Sequence, residues 1–270
     1  MSWWQALILG LVEGLTEYLP VSSTGHLLLF QRALGIAEGE AANAYAICIQ
    51  AGAIVAVLGL YRERVASMFR GLAGRDAEGR RLLLCIIAGF MPAAVIGLAL
   101  NDWIEARLFG TWPTVAAWFV GGVAILAVRG LRKNRDEGAG FGLADLTPRA
   151  ALYIGLLQCV AMWPGTSRSL VTIVGGVLVG LRLSAAVEFS FLLGVVTLCA
   201  ATAYAGMKSG ALMLETYGPL SLAVGFVAAW LAAVISVRWM VSWLQKHGMA
   251  IFGWYRIALA VGVAAWMIAA

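Results

Sequence analysis

The stretch Ala151-Leu152-Tyr153-Ile154-Gly155-Leu156-Leu157-Gln158 lies over Ala6-Leu7-Ile8-Leu9-Gly10-Leu11-Val12-Glu13 at a constant offset of 145, with four of the eight positions identical. A chain that repeats itself in this way is built from two copies of one unit, and its fold must satisfy both. Each copy continues into a hydroxyl-rich turn behind a proline. The first reads Pro20-Val21-Ser22-Ser23-Thr24-Gly25 and the second Pro164-Gly165-Thr166-Ser167-Arg168-Ser169, aligned through their prolines at an offset of 144. Thr147-Pro148 opens the second copy where Ser2-Trp3 opens the first, as proline favours the first helical position.

The solvent for these units is lipid. Of 270 residues, 62% are hydrophobic and 12% charged, against about 25% charged in soluble domains. The apolar stretches are continuous rather than alternating, which predicts helices and not a barrel. We expect no cleaved leader, since MSWWQ has neither a basic region nor a small-residue cleavage site. Cys48, Cys85, Cys159 and Cys199 are scattered singly and are expected to be reduced core thiols. The net charge of +5 does not imply nucleic acid, because the basic residues collect in loops between spans.

In each copy the proline interrupts two apolar arms too short to cross a hydrocarbon core that needs about twenty residues. This predicts a re-entrant hairpin. Three full spans follow the first, at Asn43–Leu60, Leu82–Leu100 and Thr111–Val128, with a polar loop at Tyr61–Arg81. Three more follow the second, near Ala185–Gly206, Leu220–Arg238 and Ala250–Ala269. The expected fold is therefore an all-α integral membrane protein with six spans in a single domain. Repeat one covers 1–130, a basic linker 131–146, and repeat two 147–270. Three is odd, so the second half is inverted relative to the first, and interrupted helices of the two halves meet near the midplane. With both termini outside, 14 basic residues fall on the cytoplasmic side and 3 outside, while Arg168 and Arg256 lie within the membrane. The cytoplasmic set includes Arg129, Arg132, Lys133, Arg135 and Arg149 of the linker region. That bias predicts both termini on the outer face.

The polar residues inside this apolar sequence mark the working site. An ionised group at the centre of a membrane helix costs roughly 2.5–3.5 kcal/mol on insertion scales and persists only with a partner, a ligand or a water-filled cavity. Glu13 and Glu17 are four apart and share one helix face. Two adjacent carboxylates repel, so a divalent cation bridges them or one holds a proton. Pro20 ends that helix. Ser22, Ser23 and Thr24 then supply hydroxyls at the start of a second helix, Gly25 leaves room for close approach, and His26 follows within a turn. A helix start offers free N–H groups and a positive dipole end, which suit an anion. Arg168 brings a planar fork of donors that also suits phosphate; alternatively it neutralises Glu13 or Glu17. Together these are the parts of a phosphoryl-transfer site. Ser23 is the candidate nucleophile, His26 and Glu17 the acid/base and orienting groups, and the choice between Ser23 and His26 stays open. Ser22, Thr24, Gly25, Thr166, Ser167 and Ser169 are candidates for substrate binding. Glu13 and Glu17 are candidates for holding Mg²⁺ or Ca²⁺.

Glu13-Gly-Leu-Thr-Glu17-Tyr-Leu-Pro-Val-Ser-Ser-Thr-Gly-His26, followed at this distance by Pro164-Gly-Thr-Ser-Arg-Ser169, resembles the undecaprenyl pyrophosphate phosphatases of the bacitracin-resistance type. The resemblance extends over the whole chain, including Trp254-Tyr255-Arg256. It implies an inner-membrane enzyme that removes the terminal phosphate of undecaprenyl pyrophosphate, recycling the lipid carrier for cell-wall synthesis, with a divalent cation required. It implies functional roles for Glu13, Glu17, Ser23, His26 and Arg168. The competing class is an inverted-repeat transporter or flippase for a lipid phosphate or other small anion. The expected partners are the lipid substrate and membrane lipid, with no nucleic acid; oligomeric state is open, a homodimer among the options.

Overall fold

In the computed structural model, residues 1–108, 110–132 and 140–269 are described, without the side chains of 101, 102, 105, 106 and 129–132. Lys133 and Arg135 of the basic linker, and the side chains of Arg129 and Arg132, lie outside the described residues. The described chain is all-helical: α1 (Trp3–Thr16), α2 (Ser23–Ala33), α3 (Glu40–Leu60), α4 (Arg62–Leu72), α5 (Ala77–Leu108), α6 (Thr111–Arg132), α7 (Pro148–Gln158), α8 (Arg168–Leu178), α9 (Leu183–His247) and α10 (Ala250–Ala269). Five of these, α3, α5, α6, α9 and α10, are long and apolar enough to cross a membrane. The protein is a multi-pass membrane protein.

Helix α9 has 65 residues, which at 1.5 Å per residue would reach about 100 Å if straight, roughly three times a hydrocarbon core. It breaks at Gly218, whose φ of 77° and ψ of 158° are non-helical, just before Pro219. A glycine adopts that angle freely and the proline supplies no N–H to continue the ladder. The two arms, 183–217 and 219–247, contain the two stretches predicted as separate spans.

Two expectations are corrected. The Tyr61–Arg81 stretch is not simply a loop, because α4 forms within it. Val65 and Met68 of α4 pack against the core, and Arg64 pairs with Glu188 at 2.7 Å and Glu78 at 3.0 Å. Helix α1 ends at Thr16, ahead of Pro20, and residues 17–21 form turns. At its start Ser2 and Gln5 form a capping box.

The two short hairpins, α1–α2 and α7–α8, carry the repeat. Their second helices start at Ser23 and Arg168, each preceded by a serine at positive φ, Ser22 (73°) and Ser167 (74°). These are the two non-glycine residues at positive φ among the described residues. Such a conformation costs about 1–3 kcal/mol and needs surroundings that enforce it. Both pairs are 145 apart, so the offset of the first helices holds through the turns. The prolines at 144 are not equivalent positions, because the strained serine sets where each helix restarts.

Glycines let α1 sit against the second arm of α9. A methyl at Gly10 or Gly14 would strike the backbone of Gly225 or Ala229. This is the small-residue helix contact that lipid favours, since packing replaces the hydrophobic effect there. Helices α5 and α7 approach as closely, Gly155 lying on the backbone of Gly89.

Candidate active site

Glu17 is the C-cap of α1 and projects across the first turn to the start of α2. The Ser23 hydroxyl donates a hydrogen bond to Glu17 Oε2. From the opposite hairpin, Arg168 Nη2 donates to Glu17 Oε1 at 2.8 Å, and Nη1 donates to the Ser190 carbonyl at 3.0 Å. The guanidinium also lies 5.2 Å over the Tyr18 ring. One carboxylate thus holds a serine hydroxyl on one oxygen and a cation on the other. Ser23 and Arg168 are 145 apart, the offset of the sequence repeat, so the two halves of the chain contribute unlike residues at one site.

A methyl at Gly194 would fall on the Arg168 guanidinium, so glycine there is the seat of this arginine. Its Nε has no hydrogen-bond partner among the described residues.

The site lies at the polar end of a cavity of about 410 Å³, walled there by Glu17, Ser22, Ser23, Thr24, Ser167 and Arg168. The other end is apolar, formed by Phe90, Gly97, Leu98, Met162, Leu198 and Tyr204 of α5, the second hairpin and the first arm of α9. Leu98 is 72% exposed and Tyr204 42%, so this end opens toward lipid. Gln50 and Gln158 also line the cavity, and Gln50 Oε1 and Gln158 Nε2 are buried without partners among the described residues. Gln158 occupies the position of Glu13 in the second repeat, and Thr197 donates to its Oε1 at 3.4 Å, leaving the amide N–H groups for the cavity.

Glu13 is fully buried one turn below Glu17, and among the described residues neither of its oxygens has a hydrogen-bond partner. Glu13 does not wall the cavity, but its two orphaned oxygens, one turn from the Glu17 carboxylate, fit a small hard cation, which takes one or two protein carboxylates and completes its shell with water and phosphate oxygens. Among the described residues no three His, Cys, Asp or Glu side chains gather to form a fuller cage.

A sequence profile described as Bacitracin resistance protein BacA matches residues 6–262. The chain belongs to the BacA family. Its relatives include proteins named undecaprenyl-diphosphatase. One from Sorangium cellulosum is 45% identical over 260 residues, covering 96% of this chain and 84% of the relative. One from Ectopseudomonas mendocina is 42% identical, covering 97% and 92%. One from Chromobacterium violaceum, undecaprenyl-diphosphatase 1, is 43% identical, covering 95% and 93%.

Within this BacA-family chain, not every residue singled out from the motifs reaches the cavity. His26 lies outside its wall: Nδ1 meets the Ser22 carbonyl at 2.7 Å, Nε2 meets the Tyr255 hydroxyl at 2.7 Å, and the ring stacks on Tyr255. Ser169 is fully buried and donates to the Leu19 carbonyl at 2.9 Å, tying the two turns together. Gly25 lies against Trp118, where a methyl would strike the indole. Thr166 is buried within its own turn, its N–H bonded to the Trp163 carbonyl. Ser22, Thr24 and Ser167 do line the cavity. Sequence reasoning missed Gln50, Gln158, Gly194 and Tyr18. Gln158 carried a signal, being aligned with Glu13; Gly194 carried none.

Proposed function

We propose that the chain hydrolyses undecaprenyl pyrophosphate to undecaprenyl phosphate and inorganic phosphate, recycling the lipid carrier in the bacterial inner membrane. The observation that carries this reading is the Ser23 hydroxyl on the Glu17 carboxylate, facing Arg168 at the polar end of a cavity whose apolar end opens to lipid. The names of the 40–45% identical relatives point the same way. A carrier needs to bind and release an anion, and a hydroxyl already bonded to a base has no part in that.

The polyprenyl tail leaves through the apolar end, between α5 and α9, and the pyrophosphate sits against Ser23 and Arg168. Glu17 takes the Ser23 proton as Oγ attacks the terminal phosphorus, forming the Ser–O–P bond and breaking the bridging P–O bond. The lipid phosphate departs from the side of Gln50 and Gln158. Arg168 balances charge on the equatorial oxygens as it grows. Glu17 hands the Ser23 proton to the departing lipid phosphate. A water then loses a proton to Glu17 as its oxygen attacks the phosphoserine, the Ser–O–P bond breaks, and Glu17 returns that proton to Ser23 Oγ. Glu13 and Glu17 would hold a divalent cation, Mg²⁺ or Ca²⁺, which when bound supplies charge neutralisation to the phosphate oxygens. In this scheme His26 orients the turn.

Purified protein in detergent should release phosphate from a polyprenyl pyrophosphate and slow when a chelator removes divalent ions. Failure to release phosphate under any metal condition would sink the reading.

The inverted repeat and its orientation belong to the same proposal. The 14-to-3 distribution of basic residues favours Tyr61–Arg81 and Arg129–Arg149 in the cytoplasm. A single cysteine in either loop of a cysteine-free variant should resist an impermeant thiol reagent in intact cells and react after permeabilisation. Labelling of either in intact cells would overturn the orientation.

A further inference from the structure

Arg256 is a second buried cation, and the phosphatase scheme leaves it without a task. It is 0% exposed and meets no carboxylate among the described residues. Its guanidinium donates to four backbone carbonyls. Nε reaches Trp118 O at 3.3 Å and Nη2 reaches Ala117 O at 2.9 Å, both on α6. Nη1 reaches Pro20 O at 3.2 Å and Nη2 reaches Gly165 O at 2.8 Å. Pro20 and Gly165 are separated by 145, the offset that relates Ser22 to Ser167 and Ser23 to Arg168. One guanidinium therefore grips the same carbonyl in both repeats, two residues before each strained serine. Only a planar fork does this, because an ammonium lacks donors at that spread. The space is reserved for it: a methyl at Gly121 of α6 would collide with the guanidinium.

The neighbouring residue acts on the first turn alone. The Tyr255 hydroxyl and His26 Nε2 are 2.7 Å apart, and His26 Nδ1 is 2.7 Å from the Ser22 carbonyl. A carbonyl only accepts, so Nδ1 carries the proton; in the neutral imidazole Nε2 then accepts from the Tyr255 hydroxyl. The histidine is thereby a strut between α10 and the carbonyl of the strained Ser22. The Trp118 ring meets it edge-on at 5.5 Å, and the Trp118 indole N–H donates to Val21 O at 3.0 Å.

We infer that Tyr255 and Arg256 are positioning residues of the phosphatase site, which clamp the two broken turns at matched height so that Ser23 and Arg168 address one phosphate. The inference rests on the hydrolysis proposed above. Displacing reacting groups by a fraction of an ångström lowers the rate of the chemical step more than it weakens binding.

The test uses the full chain purified in detergent, farnesyl pyrophosphate as probe, and the variants Arg256→Lys, Tyr255→Phe, His26→Ala and His26→Ala/Tyr255→Phe. Arg256→Lys keeps the charge and loses the fork; kcat should fall at least about tenfold while KM stays within about twofold. Tyr255→Phe removes one hydroxyl, and should lower kcat several-fold without moving the inflections of the kcat–pH profile. The double variant should be no slower than His26→Ala alone, because the hydroxyl acts through the imidazole. Should Arg256→Lys fail to fold, Tyr255→Phe and the double variant carry the same test. A raised KM at native kcat, a displaced inflection in Tyr255→Phe, or native kcat in both Arg256→Lys and Tyr255→Phe would overturn the clamp. Absence of phosphate release from the unsubstituted chain would instead overturn the hydrolysis itself, and the positioning role with it.

Discussion

Ser23→Ala is expected to lower phosphate release by at least about a thousandfold, the scale seen when a covalent nucleophile is removed. The reason is geometric. Ser23 is the first residue of α2, and its hydroxyl is the one bonded to the Glu17 carboxylate. Ser22 lines the same cavity, but it sits at φ 73° as the N-cap, without a base on its hydroxyl among the described residues. Thr24 lies one residue further round the helix, about 100° away. Neither hydroxyl can take over. The substitution removes one oxygen and leaves the small side chain in place, so the fold should persist; thermal unfolding in detergent, compared with the parent, checks this. Loss of activity with an unaltered unfolding midpoint supports the assignment. Residual activity above a tenth of the parent would show that attack comes from elsewhere.

Arg168→Lys is expected to lower turnover about a hundredfold, comparable to deleting one transition-state donor. The arginine uses two nitrogens at once, one on Glu17 Oε1 and one on the Ser190 carbonyl, with Nε left over. A lysine ammonium can keep the charge but cannot hold both anchors and still offer a donor to phosphate. The same defect should follow from outside the site. Gly194→Ala places a methyl where the guanidinium lies, so it should displace Arg168 and reduce turnover while Arg168 itself is intact. Initial rates at saturating substrate read both. Near-native turnover in Arg168→Lys would mean that the residue contributes charge alone, and near-native turnover in Gly194→Ala would mean that the guanidinium position is not critical.

The sequence carried the hairpins well because a proline and a hydroxyl run inside an apolar segment leave few options. It also placed Glu17, Ser23 and Arg168 in one site, because two broken helices related by a repeat converge. Register at the turn was less legible. The prolines Pro20 and Pro164 suggested an offset of 144, while the strained serines Ser22 and Ser167 keep 145; positive φ at a serine leaves no mark in the sequence. The Tyr61–Arg81 stretch carries so many arginines that its helical face, Val65 and Met68, was hidden behind them. Its spacing to Ser23 points to His26 as an acid/base group, and spacing along a helix does not reveal that the ring meets the Ser22 carbonyl and Tyr255 of α10. Gly194 acquires meaning only when Arg168 is seen to rest on it, since a glycine in a lipid-facing helix has many ordinary reasons to be there.

The most direct test of the account is to trap the reaction in progress. Substrate labelled in its terminal phosphate is mixed with enzyme, quenched within a turnover, and the labelled peptide is mapped. The account predicts acid-stable label on Ser23, absent in Ser23→Ala. Acid-labile, base-stable label on His26 would contradict it, and so would rapid turnover with no labelled residue at any quench time, which would mean that water attacks the phosphorus directly.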